Sequence, residues 1–147
     1  MAQKVKLEGF RELDKALAAL GKKSTEASVL RRVAKRALEP VLEAAKTYVP
    51  VDEGKLRDSI VMGSALNKSA RKQDRKEPRK GVRVFVGTAS RNATPREFGS
   101  VRSPAQPFMR PAWDYNQEKA LQIVKRDLGT QIEKTAARVA KKRAKSK

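Results

Sequence analysis

Two long apolar stripes, one towards each end of the chain, constrain the fold more than any other feature. In residues 25–48, Val29, Leu30, Val33, Ala34, Ala37, Leu38, Val41, Leu42, Ala45 and Tyr48 recur at helical spacing. Arg31, Arg32, Lys35, Arg36, Glu39 and Glu43 fall off that stripe, as an amphipathic helix requires. Pro40 lacks a backbone donor and is expected to kink this helix. From about 112 to 140, Trp113, Leu121, Val124, Leu128, Ile132, Ala136 and Val139 give a second stripe. Pro111 suits its first turn, and Gly129 weakens it by about 1 kcal/mol relative to alanine. Helices of this length exceed what so small a core needs, so part of their apolar surface is expected against another subunit.

Between and before the stripes the pattern changes. Residues 3–7 alternate like a short strand, and Phe10, Leu13, Leu17 and Leu20 predict a helix over 9–20, stopped by Gly21. Pro50, Asp52 and Gly54 mark a turn after the first long helix. Residues 55–63 read as a helical turn followed by a strand through Ile60, Val61 and Met62. Residues 64–80 are polar, charged and aperiodic, and predict a mobile loop. Residues 81–88 are the strongest strand pattern, with Val82, Val84 and Val86 on one face and Arg83 and Phe85 on the other. Residues 89–111 read as irregular, since Pro104, Pro107 and Pro111 exclude a central strand or helix interior. The expected class is α+β: two N-terminal helices, a small antiparallel sheet, and a long C-terminal helix packed on the sheet. One domain is expected over 1–140, carrying the mobile basic loop 64–80, with 141–147 a disordered basic tail.

Charge and composition narrow the function. The 147 residues carry 35 Lys and Arg against 16 Asp and Glu, a formal charge of +19. The excess concentrates in 22–36, 68–83 and 134–147, the last with seven basic residues and no acid. Such a surface calls for a polyanion or an acidic partner. The absence of Cys and His excludes disulfides, thiolate zinc sites, imidazole ligands and His-based triads. No apolar run is long enough to span a membrane, and MAQKVKLEGF has no signal-peptide core. A cytoplasmic origin is therefore expected.

No motif carries catalysis. Asp52, Glu53 and Asp58 lack the spacing of a metal loop, and phosphate-binding glycine patterns are absent. Asp52 reads as a turn or cap acceptor, and Glu97 as the partner of an arginine rather than a desolvated acid. No aromatic residue lies within 68–83, which disfavours base stacking and leaves only phosphate contact there. Phe98, Phe108, Trp113 and Tyr115 gather around the proline-rich segment, where they either fill the core or anchor a subunit interface.

The ordered series VPVDEGKLRDSI (49–60), VRVFVGT (82–88), PREFGS (95–100) and PAQPFMRPAWD (104–114) resembles the tail-completion, or neck, proteins of long-tailed bacteriophages. The type member of that family is the gene-ten product of a lambdoid coliphage. LEGFRELDKALAAL (7–20) and the helix carrying Glu39, Pro40 and Val41 fit the same pattern, so the resemblance covers about 5–125. Glu53 stands where relatives usually have threonine, and 92–96 lack the tyrosine usual before Glu-Phe-Gly.

The resemblance implies a structural virion protein, without cofactor, metal or enzymatic activity. It implies a homo-oligomeric ring at the head–tail junction, of about six copies, with about twelve as the portal-like alternative. Its expected neighbours are a head-closure or connector protein and the tail tube, with assembly in the bacterial cytoplasm and no membrane. Within that picture Lys68, Arg71, Lys72, Arg75, Lys76, Arg79 and Lys80 are candidates for contact with a partner or with genomic DNA in the channel. Phe98, Phe108, Met109, Arg110 and Trp113 are candidates for the subunit interface, and Pro50, Asp52, Gly54, Glu97 and Gly99 for structural turns. The alternative from another class is a sequence-independent DNA-binding protein of packaging or chromosomal type, resting on charge alone.

Overall fold

The computed structural model describes residues 15, 18, 23–50, 54–66, 68, 71, 72, 75 and 81–146. Helix α1 spans Lys23–Tyr48. Its buried residues Val29, Val33, Ala37, Val41 and Ala45 repeat every four positions and form one continuous seam. The helix is a single element through Pro40.

Gly54, with φ of 71°, turns the chain into the single-turn helix α2, Lys55–Asp58. Strand β1, Ile60–Gly63, follows and pairs antiparallel with β2, Phe85–Thr88. The register places Ile60 opposite Thr88 and Met62 opposite Val86, so these four share the face turned to the core. Ser59 Oγ donates to the Leu56 carbonyl at 2.7 Å, which leaves Thr88 Oγ1 to donate to Ser59 Oγ at 2.6 Å and tie the end of the sheet to α2. The strand expected over 81–88 is shorter than its pattern and begins at Phe85.

Helix α3, Ala93–Phe98, occupies part of the segment expected to be irregular. Pro95 sits in its first turn, where a missing amide donor breaks no helical bond. A tight turn follows, in which Ser100 and Ser103 exchange backbone hydrogen bonds at 2.8 and 3.2 Å. Helix α4 then runs from Met109 to Lys145, about 55 Å at 1.5 Å per residue.

The α+β class holds, and the long C-terminal helix meets the sheet at its first turns only. Its main partner is α1, along which it lies antiparallel. Val29 packs with Ile132, Arg32 Nη1 donates to Gln131 Oε1 at 3.1 Å, and Arg36 forms an ion pair with Asp127 at 3.2 Å. Two four-residue strands offer too little apolar face for a 37-residue helix, whereas the 26-residue α1 supplies a far longer seam. α4 reaches the sheet through its first turns, where Ala112 shares a core with Val41, Ala45, Val49, Ile60 and Phe108.

Two further boundaries differ from expectation. Residues 141–145 continue α4 instead of forming a separate tail. Alanine, lysine and arginine are good helix formers, and basic residues complement the negative end of the helix dipole. In the stretch expected to be a loop, Lys68, Arg71 and Lys72 are helical, and the Arg75 amide donates to the Arg71 carbonyl at 3.1 Å. The strand expected over 3–7, most of the helix over 9–20, and Asp52, Lys76, Arg79 and Lys80 lie outside the described residues; Lys15 and Ala18 are helical.

Candidate functional site

Phe108, at the N-cap of α4, provides no side-chain acceptor for the free amides of the first turn. Glu97, brought in from α3, supplies it. Glu97 Oε2 accepts from the backbone N–H of Phe108 at 2.7 Å and of Met109 at 2.9 Å. Oε1 accepts from the Arg110 N–H at 3.1 Å and from Arg110 Nε at 3.0 Å. Arg110 Nη2 closes the clamp by donating to the Glu97 carbonyl at 2.9 Å. Burial to 5% exposure pushes this carboxyl upward, but the three backbone donors and the guanidinium outweigh it and hold its pKa below the ordinary 4.5. A carboxylate so occupied, and held in its charged form at a helix N-terminus, serves as a structural anion rather than a proton donor.

The chain between the clamp's two sides is fastened as well. Gln106 N–H donates to the Arg96 carbonyl at 2.7 Å, and Arg96 Nη1 donates to Gln106 Oε1 at 3.0 Å. Gly99 has φ of 82°, and a Cβ there would meet the Ala105 backbone nitrogen at 3.0 Å. Glycine is therefore required by conformation and by space.

Around this rigid base the candidate interface residues separate. Phe108 has no exposed surface and is the largest fully buried side chain, so it belongs to the monomer core and not to a subunit interface. Met109 packs half-buried against that core. Phe98 is 65% exposed beneath the Arg110 guanidinium, which lies 4.9 Å from its ring centroid. Trp113, 47% exposed, borders a groove of about 500 Å3 between α1 and α4 with Leu38, Leu121 and Val124. Tyr115, 78% exposed and nearly opposite Trp113 on the helix, borders a hollow of about 440 Å3 with Pro107, Arg110 and Pro111.

The other candidates occupy separate places. Gly54 adopts the left-handed conformation before α2, and Pro50 is half-buried just past α1. Lys68, Arg71, Lys72 and Arg75 are exposed, and Arg71 Nε donates to the Leu66 carbonyl at 2.8 Å. Arg71 and Arg75 share a hollow of about 590 Å3 with Arg31 and Arg83, a grouping that sequence distance concealed. Asp127 was also missed. It is buried, and receives Arg126 Nε at 2.9 Å besides its pairing with Arg36. Its signal was a carboxylate set directly beside the apolar position Leu128. Among the described residues no grouping of acidic side chains could hold a metal ion, and no helix is long and apolar enough to cross a membrane.

Residues 11–99, more than half of the chain, match the HK97-gp10-like family, described as "Bacteriophage HK97-gp10, putative tail-component". The match ends at the glycine that follows α3, before α4 begins. No curated protein and no solved structure matches the chain.

Proposed function

The chain belongs to the HK97-gp10-like family of phage tail components, and from that premise we propose that it is a structural virion protein forming a homo-oligomeric ring at the head–tail junction. The observation that carries the reading is the set of exposed aromatic side chains around the clamped start of α4. Phe98, Trp113 and Tyr115 sit on backbone held by Glu97 and Arg110, so little ordering is needed when a neighbour covers them. Exposed aromatic residues and arginine on a rigid base are the usual anchors of protein interfaces. Because Trp113 and Tyr115 point to nearly opposite sides of α4, each copy presents two different surfaces. Two unlike surfaces suit a head-to-tail contact that closes into a ring. The ring has about six copies, with about twelve as the alternative, and joins a head-closure or connector protein to the tail tube around the DNA channel.

Copy counting in purified phage particles tests this, by quantitative mass spectrometry against the portal protein. About six or twelve copies per particle is the expected result. Absence from finished particles would overturn the assignment.

A further inference from the structure

We propose that the C-terminal end of α4 binds the phosphate backbone of duplex DNA through a single stripe of basic side chains. This goes beyond the head–tail reading and does not depend on it.

Lys134, Arg138, Lys141, Lys142 and Lys145 stand at i, i+4, i+7, i+8 and i+11 within one unbroken helix. At about 100° per residue they fall within an arc of about 100°, spread over roughly 16 Å. All five are exposed, and none is paired with an acidic side chain among the described residues. Glu133 is the last acid in the chain. The stripe extends the flank of α4 that carries Asp127 and Gln131, where Arg36 and Arg32 approach from α1. Lys23, nine residues before Arg32, comes level with residue 140, nine residues beyond Gln131, so the end of α4 projects past the start of α1.

Basic residues suit the last turn of a helix, but helix stability does not account for their alignment along one stripe. Lys134 and Arg138, Arg138 and Lys142, and Lys141 and Lys145 are like-charged pairs at i, i+4, each unfavourable in an isolated helix. Among the described residues the last buried one is Ile132, so all five charges lie beyond the buried core in sequence. The remaining surface indicates the kind of partner. Ala136, Ala137, Ala140 and Ala144 are exposed, and no aromatic residue follows Tyr115. A protein interface would want such anchors. A duplex does not, because about ten phosphates per 16 Å of axis supply the attraction through released counterions.

The test is binding of the full chain to a random-sequence 30-base-pair duplex, read by fluorescence anisotropy between about 50 and 200 mM salt. Five phosphate contacts predict a slope near −4.5 in log affinity against log salt, which is about a 500-fold loss over that range. Replacing all five residues with glutamine is expected to remove most of that slope and at least about 30-fold of the affinity at 0.1 M salt. K141Q/K142Q/K145Q, beyond the last buried residue, is expected to reduce the slope by about 2.7, with an unchanged far-ultraviolet spectrum showing that the fold survives. K68Q/R71Q/K72Q/R75Q tests the rival assignment of DNA contact to residues 64–80, and the proposal requires it to stay within about threefold of the wild type. The proposal is overturned if the five-fold variant retains the wild-type slope, or if the loop variant is the one that loses it. Competition by poly-L-glutamate as strong, charge for charge, as by the duplex would also overturn it, in favour of an acidic protein surface.

Discussion

Replacing Glu97 with glutamine keeps the shape of the clamp and removes one of its two acceptor oxygens. The carboxylate meets four donors, two on each oxygen. Glutamine accepts with one oxygen and turns an NH2 group towards the other pair. The less costly orientation keeps the acceptor on the Phe108 and Met109 amides and abandons those of Arg110. Hydrogen bonds to a charged acceptor contribute about 1.5–3 kcal/mol each, and the helix-end charge about 0.3–1 kcal/mol more. The Arg110 side chain is 57% exposed and can turn to water, so the Nε bond counts for little. The expected loss is about 3 kcal/mol at pH 7. Urea unfolding followed by circular dichroism should then show a midpoint lower by about 1.5 M, for a slope near 2 kcal/mol/M. The pH dependence supplies a second check. Because the folded-state pKa of Glu97 lies below its ordinary 4.5, its contribution is fully present above 4.5 and is lost as pH falls through the folded value. The gap between wild type and E97Q should hold from pH 7 to about 5 and close below that. A loss under about 0.5 kcal/mol at pH 7, or a gap that persists unchanged into acid, would refute the clamp as described.

Three other substitutions have definite signs. Gly99→Ala combines a positive φ with a contact of 3.0 Å to Ala105, and should destabilise by about 2 kcal/mol in the same urea assay. Gly129→Ala adds a methyl group that meets nothing within 4 Å, on an exposed helical position, and should stabilise by about 0.8–1 kcal/mol, raising Tm by roughly 2–4 °C. A double-mutant cycle on Arg36→Ala and Asp127→Asn should give a coupling of about 0.5–1 kcal/mol, since Arg36 is half exposed although Asp127 is buried. Zero coupling would mean that the pair does not fasten α4 to α1.

What could be read from the sequence follows from range. The seam from Val29 to Ala45 repeats within single turns, so α1 and the strand beginning at Ile60 are visible in local pattern. Helix α3 escapes it, because six residues with Pro95 and few apolar side chains carry no periodicity. The Glu97 clamp acts over 11–13 residues of separation, beyond the reach of a local capping motif. Its trace is negative: a 37-residue helix that starts at Met109 with Phe108, rather than Ser, Thr, Asp or Asn, at its N-cap. Phe108 lies in the same proline-rich segment as exposed aromatics, and composition cannot distinguish an anchor facing outward from one facing the core. The partner of α4 is equally a tertiary matter, decided by the length of the seam on α1.

The pairing of α1 with α4 has a consequence for how the chain is made. Arg32 and Gln131 meet across 99 residues, and Val29 finds its partner in Ile132. A contact of that separation requires a large loop to close before it is rewarded, which slows folding. During synthesis α1 emerges long before α4 exists, with its apolar seam still uncovered. A chain halted before Ile132 cannot seal that seam and becomes a natural substrate for chaperones and proteases. Completion of the core must therefore wait for α4, however early α1 emerges.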